Sequence, residues 1–267
     1  SMTQPSTPEL VLVEDRTDYA LVQINRPEKR NAVNRETRRQ MLAAFDRLRG
    51  VHKVIVLTGS QTSFCAGVDL KEAVADREAG MGEDPRSDWP EVNLAIRQHP
   101  AIFIAAVNGF ALGGGSTLIN VCDLAIAADE AEIGMPEIGF ATYPGLAGPA
   151  MQMTLNRKRA AWMILTAERA SGKQAAEWGI VNQSVPAAEL LTAADELARR
   201  IAKFDAAALA ACKRALDVIP GSITDWRQAF DFGAKVNAHI RSVSSAQRSG
   251  MANFAEGKRN PGQGGSS

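Results

Sequence analysis

Three consecutive glycines, Gly113 to Gly115, and one carboxylate, Glu137, are the residues of this chain best suited to chemistry. The apolar run from 102 to 107 ends in Asn108-Gly109, and the glycines open the next element. This reads as a buried strand feeding a glycine-rich turn at a helix N-terminus. The first amides of a helix have no partner within it, and the helix dipole adds partial positive charge there. Without side chains at Gly113, Gly114 and Gly115, a ligand can approach that backbone closely. The carboxylate follows in Gly134-Met-Pro-Glu137, beyond another apolar strand. An anion hole beside a general base is a recognisable catalytic pair.

The elements that must position this pair follow from periodicity. Residues 19–25 mix apolar and polar positions as a strand does, and 26–31 form a polar turn. Asn34 can cap a helix running to about Leu48, with Met41, Leu42, Phe45 and Leu48 as its apolar stripe. Residues 54–58 read as a short buried strand, and 64–70 turn into a helix start. The polar segment 75–88, with glycine and proline, reads as mobile. Strands over 102–107, 124–128 and 131–133 follow, with the glycine-opened helix between the first two. Helices over 157–165 and 173–178 and a strand over 181–185 complete the alternation. Strands alternating with helices predict an α/β core with parallel pairing. From Ala188 the pattern is purely helical. Trp226, Ala229, Phe230, Gly233, Val236 and Ile240 share one face, the sign of an appendage packed on its own core or on another subunit.

Composition narrows the classes. Thirty basic and thirty acidic residues give a net charge near zero, which argues against a nucleic-acid-binding surface; Arg157, Lys158 and Arg159 are a thin patch. No apolar run approaches the roughly 20 residues of a membrane span. Cys65, Cys122 and Cys212 are odd in number and far apart, as reduced thiols are, and no signal segment is evident, so a cytoplasmic location is expected. Ser1 ahead of Met2 reads as an expression remnant. The sequence divides into a flexible start (1–8), a core (9–195), a helical region (196–260) and a flexible tail (261–267). His52, His99 and His239 lack metal-ligand spacing, and no metal is expected. No dinucleotide fingerprint, P-loop or nucleophile elbow occurs.

Two motifs gain weight together: Ser63-Phe-Cys-Ala-Gly-Val-Asp-Leu-Lys-Glu72, and Asn108-Gly-Phe-Ala-Leu-Gly-Gly-Gly115 joined to Cys122-Asp-Leu and Met135-Pro-Glu-Ile-Gly139. With Asn25-Arg-Pro-Glu-Lys-Arg-Asn-Ala32, Tyr143-Pro-Gly145, Ala175-Ala-Glu-Trp-Gly-Ile-Val-Asn182 and Phe254-Ala-Glu-Gly-Lys-Arg259, this ordered set resembles the crotonase superfamily, also called the enoyl-CoA hydratase/isomerase family. The resemblance runs from about residue 9 to 260. It implies a crotonase-like spiral core of repeated strand-strand-helix units and a C-terminal helical region that builds trimers or dimers of trimers. It also implies an acyl-CoA thioester as substrate, with coenzyme A as part of that substrate and no separate cofactor.

Carried over residue by residue, the resemblance places the two oxyanion-hole amides at Val68 and Gly114, and the base or proton shuttle at Glu137. One such donor is worth about 3 kcal/mol in a transition state. Ala66, with Gly67 beside it, should meet the adenine and pantetheine end of coenzyme A. Lys29, Arg30 and Lys71 are candidates for its phosphates. Ala32, Leu70, Gly113 and Phe140 complete the expected substrate surroundings. Asp69 also lies in the motif, and it and Asp123 read as structural, because Asp readily caps turns and helix starts. Family hydratases carry a second glutamate two positions after the glycine triplet, where this chain has Thr117. A hydroxyl orients water but does not exchange a proton near neutral pH. One carboxylate suffices to move a double bond from the 3 to the 2 position, so isomerisation ranks slightly ahead of hydration, in fatty-acid or related acyl-CoA metabolism. The alternative is a non-catalytic acyl-CoA-binding paralogue that lost a glutamate at 117.

Overall fold

The strands β3 (Val54–Gly59) and β5 (Ile102–Val107) are buried at every position. Such continuous apolar runs need cover on both faces, so they pair in parallel at the centre of a sheet. The computed structural model describes residues 3, 6–81, 88–224 and 226–257. Around that pair lie β1 (Val11–Asp15), β2 (Ala20–Ile24), β7 (Leu124–Ala128) and β10 (Gln183–Val185), in the order β1-β2-β3-β5-β7-β10. Among the described residues only β1 and β2 pair antiparallel in this sheet.

A second sheet holds β4 (Ser63–Cys65), β6 (Phe110–Leu112), β8 (Glu132–Gly134) and β9 (Ala170–Ser171), in the order β4-β6-β8-β9. Each turn of the chain gives one strand to each sheet: β3 then β4, β5 then β6, β7 then β8. Helices close the turns: α1 (Arg35–Leu48), α2 (Leu70–Glu78), α3 (Asp88–Gln98), α4 (Gly114–Val121) and α5 (Ala147–Thr154). This is the expected α/β spiral of strand-strand-helix units. The chain continues through α6 (Arg157–Thr166), α7 (Gly172–Trp178), α8 (Leu190–Ala202), α9 (Ala206–Ser222), α10 (Trp226–Val243) and α11 (Ala246–Ala255).

Local chemistry sets the joints. Asn34 caps α1 by accepting from Thr37 N at 2.8 Å, and Met41, Ala44, Phe45 and Leu48 are buried. Phe45 meets Phe103 edge to face, 5.2 Å between centroids. Two side-chain amides, the buried Asn31 and the half-buried Asn108, fix the β3–β4 turn. Asn31 donates to Ser60 O at 2.9 Å and Ser63 O at 2.7 Å. Asn108 accepts from Gly59 N and donates to Gln61 O and Ser63 O.

Some expectations need correction. The strand β6 follows Gly109 directly, where only a turn was expected; three residues are too short to show alternation. Residues 75–78 continue α2, and α3 begins at Asp88, the last residue of the segment read as mobile. Of that segment, 82–87 lie outside the described residues, as do 1, 2, 4 and 5 and all of 261–267. The division at residue 195 falls inside α8, which packs on β3, β5 and β7, so the core includes α8.

The helix α9 is tied to the core by a buried charge. Lys213 donates to Ile96 O and Ala101 O, both at 2.7 Å, and pairs with Asp123 at 3.1 Å. Its ammonium lies 5.1 Å from the Phe103 ring centre. Burial pushes the Lys213 pKa down, and Asp123 opposes that shift. Asp123 also accepts from Phe103 N at 2.8 Å, which bears out its structural reading. Replacing Lys213 with Met leaves Asp123 as an unpaired buried charge. It is expected to cost about 3–5 kcal/mol, read as a lower urea midpoint with an unchanged slope.

Candidate active site

Two backbone turns and one carboxylate converge where the second sheet meets α4. The first turn, Ala66 to Val68, follows β4. Ala66 N donates to Arg30 O at 3.1 Å. Val33 makes a one-residue parallel bridge with Val68, through Val33 N to Gly67 O at 2.8 Å and Asp69 N to Val33 O at 3.0 Å. In such a bridge the central residue's own amide points away from the partner strand. Val68 N–H therefore faces the other way, toward the cleft. Gly67 has φ +91°, and a Cβ there would sit 3.0 Å from both Gly114 N and Leu112 O. The turn thus lies directly against the start of α4.

The second turn is Gly113, with φ 53° and ψ −116°, a conformation that L side chains rarely adopt. It sets Gly114 as the first residue of α4, whose amide has no partner within the helix. Neither Val68 N–H nor Gly114 N–H donates to the backbone among the described residues. Both amides are thus open to an acceptor from outside the backbone.

Glu137 begins a 3-10 turn, Glu137–Phe140, directly after β8 and Pro136. A Cβ on Gly113 would lie 2.8 Å from Glu137 Oε1, so the missing side chain is what admits the carboxylate. Glu137 Oε2 is buried and has no hydrogen-bond partner among the described residues. Burial raises the Glu137 pKa above its ordinary 4.5, and a bond from its own backbone amide opposes that only in part. Desolvation makes this carboxyl hold its proton more strongly than an exposed glutamate does. Thr117, one turn into α4, is buried, and its hydroxyl stands 3.5 Å from Gly113 O, at the limit of a hydrogen bond.

The remaining predicted residues spread over the rim. Lys29, Arg30 and Lys71 are exposed, and Ala32 and Ala66 are half-buried. Arg30 lies over the Phe110 ring at 5.3 Å, and Arg169 lies over the same ring at 5.6 Å. Leu70 and Phe140 are exposed by 68% and 66%, leaving apolar surface at the mouth. Asp69 is committed to structure: it caps α2 through Glu72 N and pairs with Arg26 at 2.7 Å. Its carboxyl is held below the ordinary range, because Arg26 and the cap outweigh the upward push of burial, which is the largest single effect.

One neighbour was not anticipated. Trp89, buried on α3, lies against Gly114, where a Cβ would be 2.9 Å from its indole nitrogen. The helical spacing of Trp89, Val92 and Ile96 was the available signal. Among the described residues no three metal-binding side chains cluster. His99 is a core residue bonded to Phe45 O and Ala101 N. No helix among the described residues is long and apolar enough to cross a membrane.

Residues 15–264 match the family model described as enoyl-CoA hydratase/isomerase. The chain is 34% identical to the hydroxycinnamoyl-CoA hydratase-lyase of Pseudomonas fluorescens, over 93% of this chain and 92% of that protein. It is 33% identical to a probable enoyl-CoA hydratase of Mycobacterium tuberculosis, over 96% of this chain and 98% of that one. The crystal structure of an enoyl-CoA hydratase of Mycobacterium smegmatis superposes with a TM-score of 0.86 at 28% identity, covering 94% of this chain and 97% of that one.

The raised Glu137 pKa has a stability consequence with a definite sign. Above pH 4.5 the unfolded state sheds this proton before the folded state does, so stability falls as pH rises toward the folded pKa. Glu137→Gln removes that loss. The variant is expected to gain melting temperature relative to the parent at pH 7 to 8, and the gain should shrink toward zero below pH 4.5. Parallel thermal melts across this range check the sign.

Proposed function

The chain belongs to the enoyl-CoA hydratase/isomerase family, and from that premise we propose that it transforms an unsaturated acyl-CoA thioester through an enolate, with Glu137 as the proton carrier. The thioester oxygen sits between the amides of Val68 and Gly114, which stabilise its charge as it grows. Glu137 removes a proton from C2, and the electron pair moves toward the thioester oxygen. In double-bond isomerisation the same carboxyl returns that proton to C4, so the 3-enoyl ester becomes the 2-enoyl ester and no other reactant is consumed. The observation that carries this reading is the buried, partnerless Oε2 of Glu137 beside Gly113, with a hydroxyl rather than a second carboxyl at Thr117.

Hydration of a 2-enoyl ester is the second reading, favoured by the printed names of the relatives, several of which are hydratases. In that case Glu137 must serve both water and C2, with Thr117 orienting the water. Coenzyme A lies along the Ala66–Val68 turn, with Lys29, Arg30 and Lys71 near its phosphates and Ala32, Leu70 and Phe140 along its path. Exposed Leu216, Phe230, Val243 and Met251 on α9 to α11 support a trimer or a dimer of trimers. Light scattering at micromolar concentration should give three or six chains, and a monomer would contradict this.

The decisive assay supplies trans-2-enoyl-CoA and 3-enoyl-CoA of several lengths and follows mass and retention. Conversion of the 3-enoyl to the 2-enoyl ester without a mass change supports the shuttle. A gain of one water from the 2-enoyl ester supports hydration. Tight binding without turnover supports the non-catalytic paralogue. Glu137→Gln is expected to lower kcat by several orders of magnitude with little change in ester affinity; unchanged turnover would sink the assignment.

A further inference from the structure

The two amides of the site are aimed by different means. A trans peptide points its C=O and its N–H in opposite directions, and among the described residues no peptide bond is cis. Whatever holds one end of a peptide therefore aims the other. The Gly114 N–H shares a peptide with Gly113 O, which accepts from Ser116 N at 2.9 Å, so that amide is set by its own helix. Val68 lies in a turn ahead of α2 and has no such support. Its N–H shares a peptide with Gly67 O, which accepts from Val33 N at 2.8 Å. Val33 N in turn shares a peptide with Ala32 O, which accepts from Arg26 Nη1 at 3.1 Å. A single file of hydrogen bonds thus runs from the Arg26 guanidinium through two peptide planes, and its open end is the Val68 N–H.

The far end of this file is firmly held. The same Arg26 nitrogen donates to Asp69 Oδ2 at 2.7 Å, and the two side chains are only 13% and 14% exposed. The other oxygen of Asp69 caps α2 through Glu72 N at 3.1 Å, and Asp69 N donates to Val33 O at 3.0 Å. Arg26 N donates to the fully buried Asn31 side chain at 2.7 Å. Both ends of the arginine are therefore fixed. A guanidinium taken this far out of water carries a desolvation cost that needs a partner such as Asp69 to offset it. A neutral donor would satisfy Ala32 O without that cost.

We infer that Arg26 is a positioning residue of the anion hole, setting the direction and donor strength of the Val68 N–H through the peptides Ala32–Val33 and Gly67–Val68. The inference rests on the reading that the thioester oxygen meets Val68 and Gly114. Hydrogen bonds in a chain polarise one another, by roughly 10–30% per bond. Asp69 neutralises the guanidinium, so the file acts by orientation and polarisation rather than by net charge. Its effect grows with the charge on the thioester oxygen. It is small for a bound ground-state ester and large for an enolate. Arg26 touches neither substrate nor Glu137, and Glu137 remains the proton carrier.

The test reads the anion hole without turnover. Acetoacetyl-CoA is a 3-oxoacyl thioester whose enolate absorbs in the near ultraviolet, and an anion hole favours that form over the keto form. Titrating the full chain with this ester at fixed pH is expected to raise the enolate absorbance. In Arg26→Gln the ratio of bound enolate to keto form should fall about 10- to 100-fold, and kcat on an enoyl-CoA should fall in parallel. Affinity for the saturated butyryl-CoA should stay close to that of the parent. An enolate ratio unchanged in Arg26→Gln overturns the inference. So does an equal loss of butyryl-CoA affinity, which would make Arg26 a support of the ester's surroundings and not of the hole. Should Arg26→Gln fail to fold, Arg26→Lys decides by the same two outcomes, because lysine keeps the charge and loses the planar donor pair. A parent that binds acetoacetyl-CoA without enolate, or binds neither ester, instead defeats the reading on which the inference rests.

Discussion

The contact on which the site depends is a backbone-to-backbone approach with no room for a side chain. A Cβ on Gly115 would lie 1.9 Å from the Cys65 carbonyl, and one on Gly67 only 3.0 Å from Gly114 N. The end of β4 and the start of α4 therefore touch main chain to main chain. Such closeness brings two amides from separate segments to one point without any donor side chain. The two-sheet spiral maintains it: β4 and β6 are parallel neighbours, and each leads straight into one of the turns. Asn31 and Asn108 lock the β3–β4 turn from both sides, so its position does not rest on van der Waals contact alone.

Electrostatics follows from that geometry. Glu137 reaches the site because Gly113 has no side chain, and it arrives with one oxygen dry and unpartnered. Burial favours its protonated form, while the two orphan amides favour negative charge a short distance away. In the proposed reaction, the opposed preferences suit a proton that leaves carbon for the carboxyl while charge accumulates on a thioester oxygen. Asp69 is the contrast. Arg26 and the first turn of α2 hold it ionised, and it serves architecture.

The helical region is joined to this machinery through α3. Lys213 of α9 binds carbonyls at the end of α3 and the start of β5, and pairs with Asp123 after α4. Arg97 ties α3 to the end of α4 and pairs with Asp217 of α9. The other end of α3 carries Trp89, which lies against Gly114. The placement of the C-terminal helices is thus mechanically continuous with the wall of the site. A cavity of about 580 Å³ between α9, α10 and α11, lined by Leu209, Cys212, Ile240 and Met251, belongs to that region and not to the catalytic cleft.

Features whose physics is local were legible in the residues. The Asn34 cap, the buried runs of β3 and β5, the glycine-opened helix and the carboxylate after Pro136 each declare themselves within a few positions. The ordered motifs then identified the family. Short or composite elements were not legible. Three-residue β6 carries no period to detect, α3 adjoins a glycine- and proline-bearing stretch, and α8 belongs to the core only because its apolar face meets β3, β5 and β7. The residues by themselves carried the family and the α/β scaffold, and they singled out the glycine triplet and Glu137 as candidates for an anion hole and a base. Only the tertiary structure decided that Trp89 lies against Gly114 and that Glu137 keeps a dry oxygen. Those facts depend on packing between segments distant in sequence, and propensity and spacing do not encode distance through space.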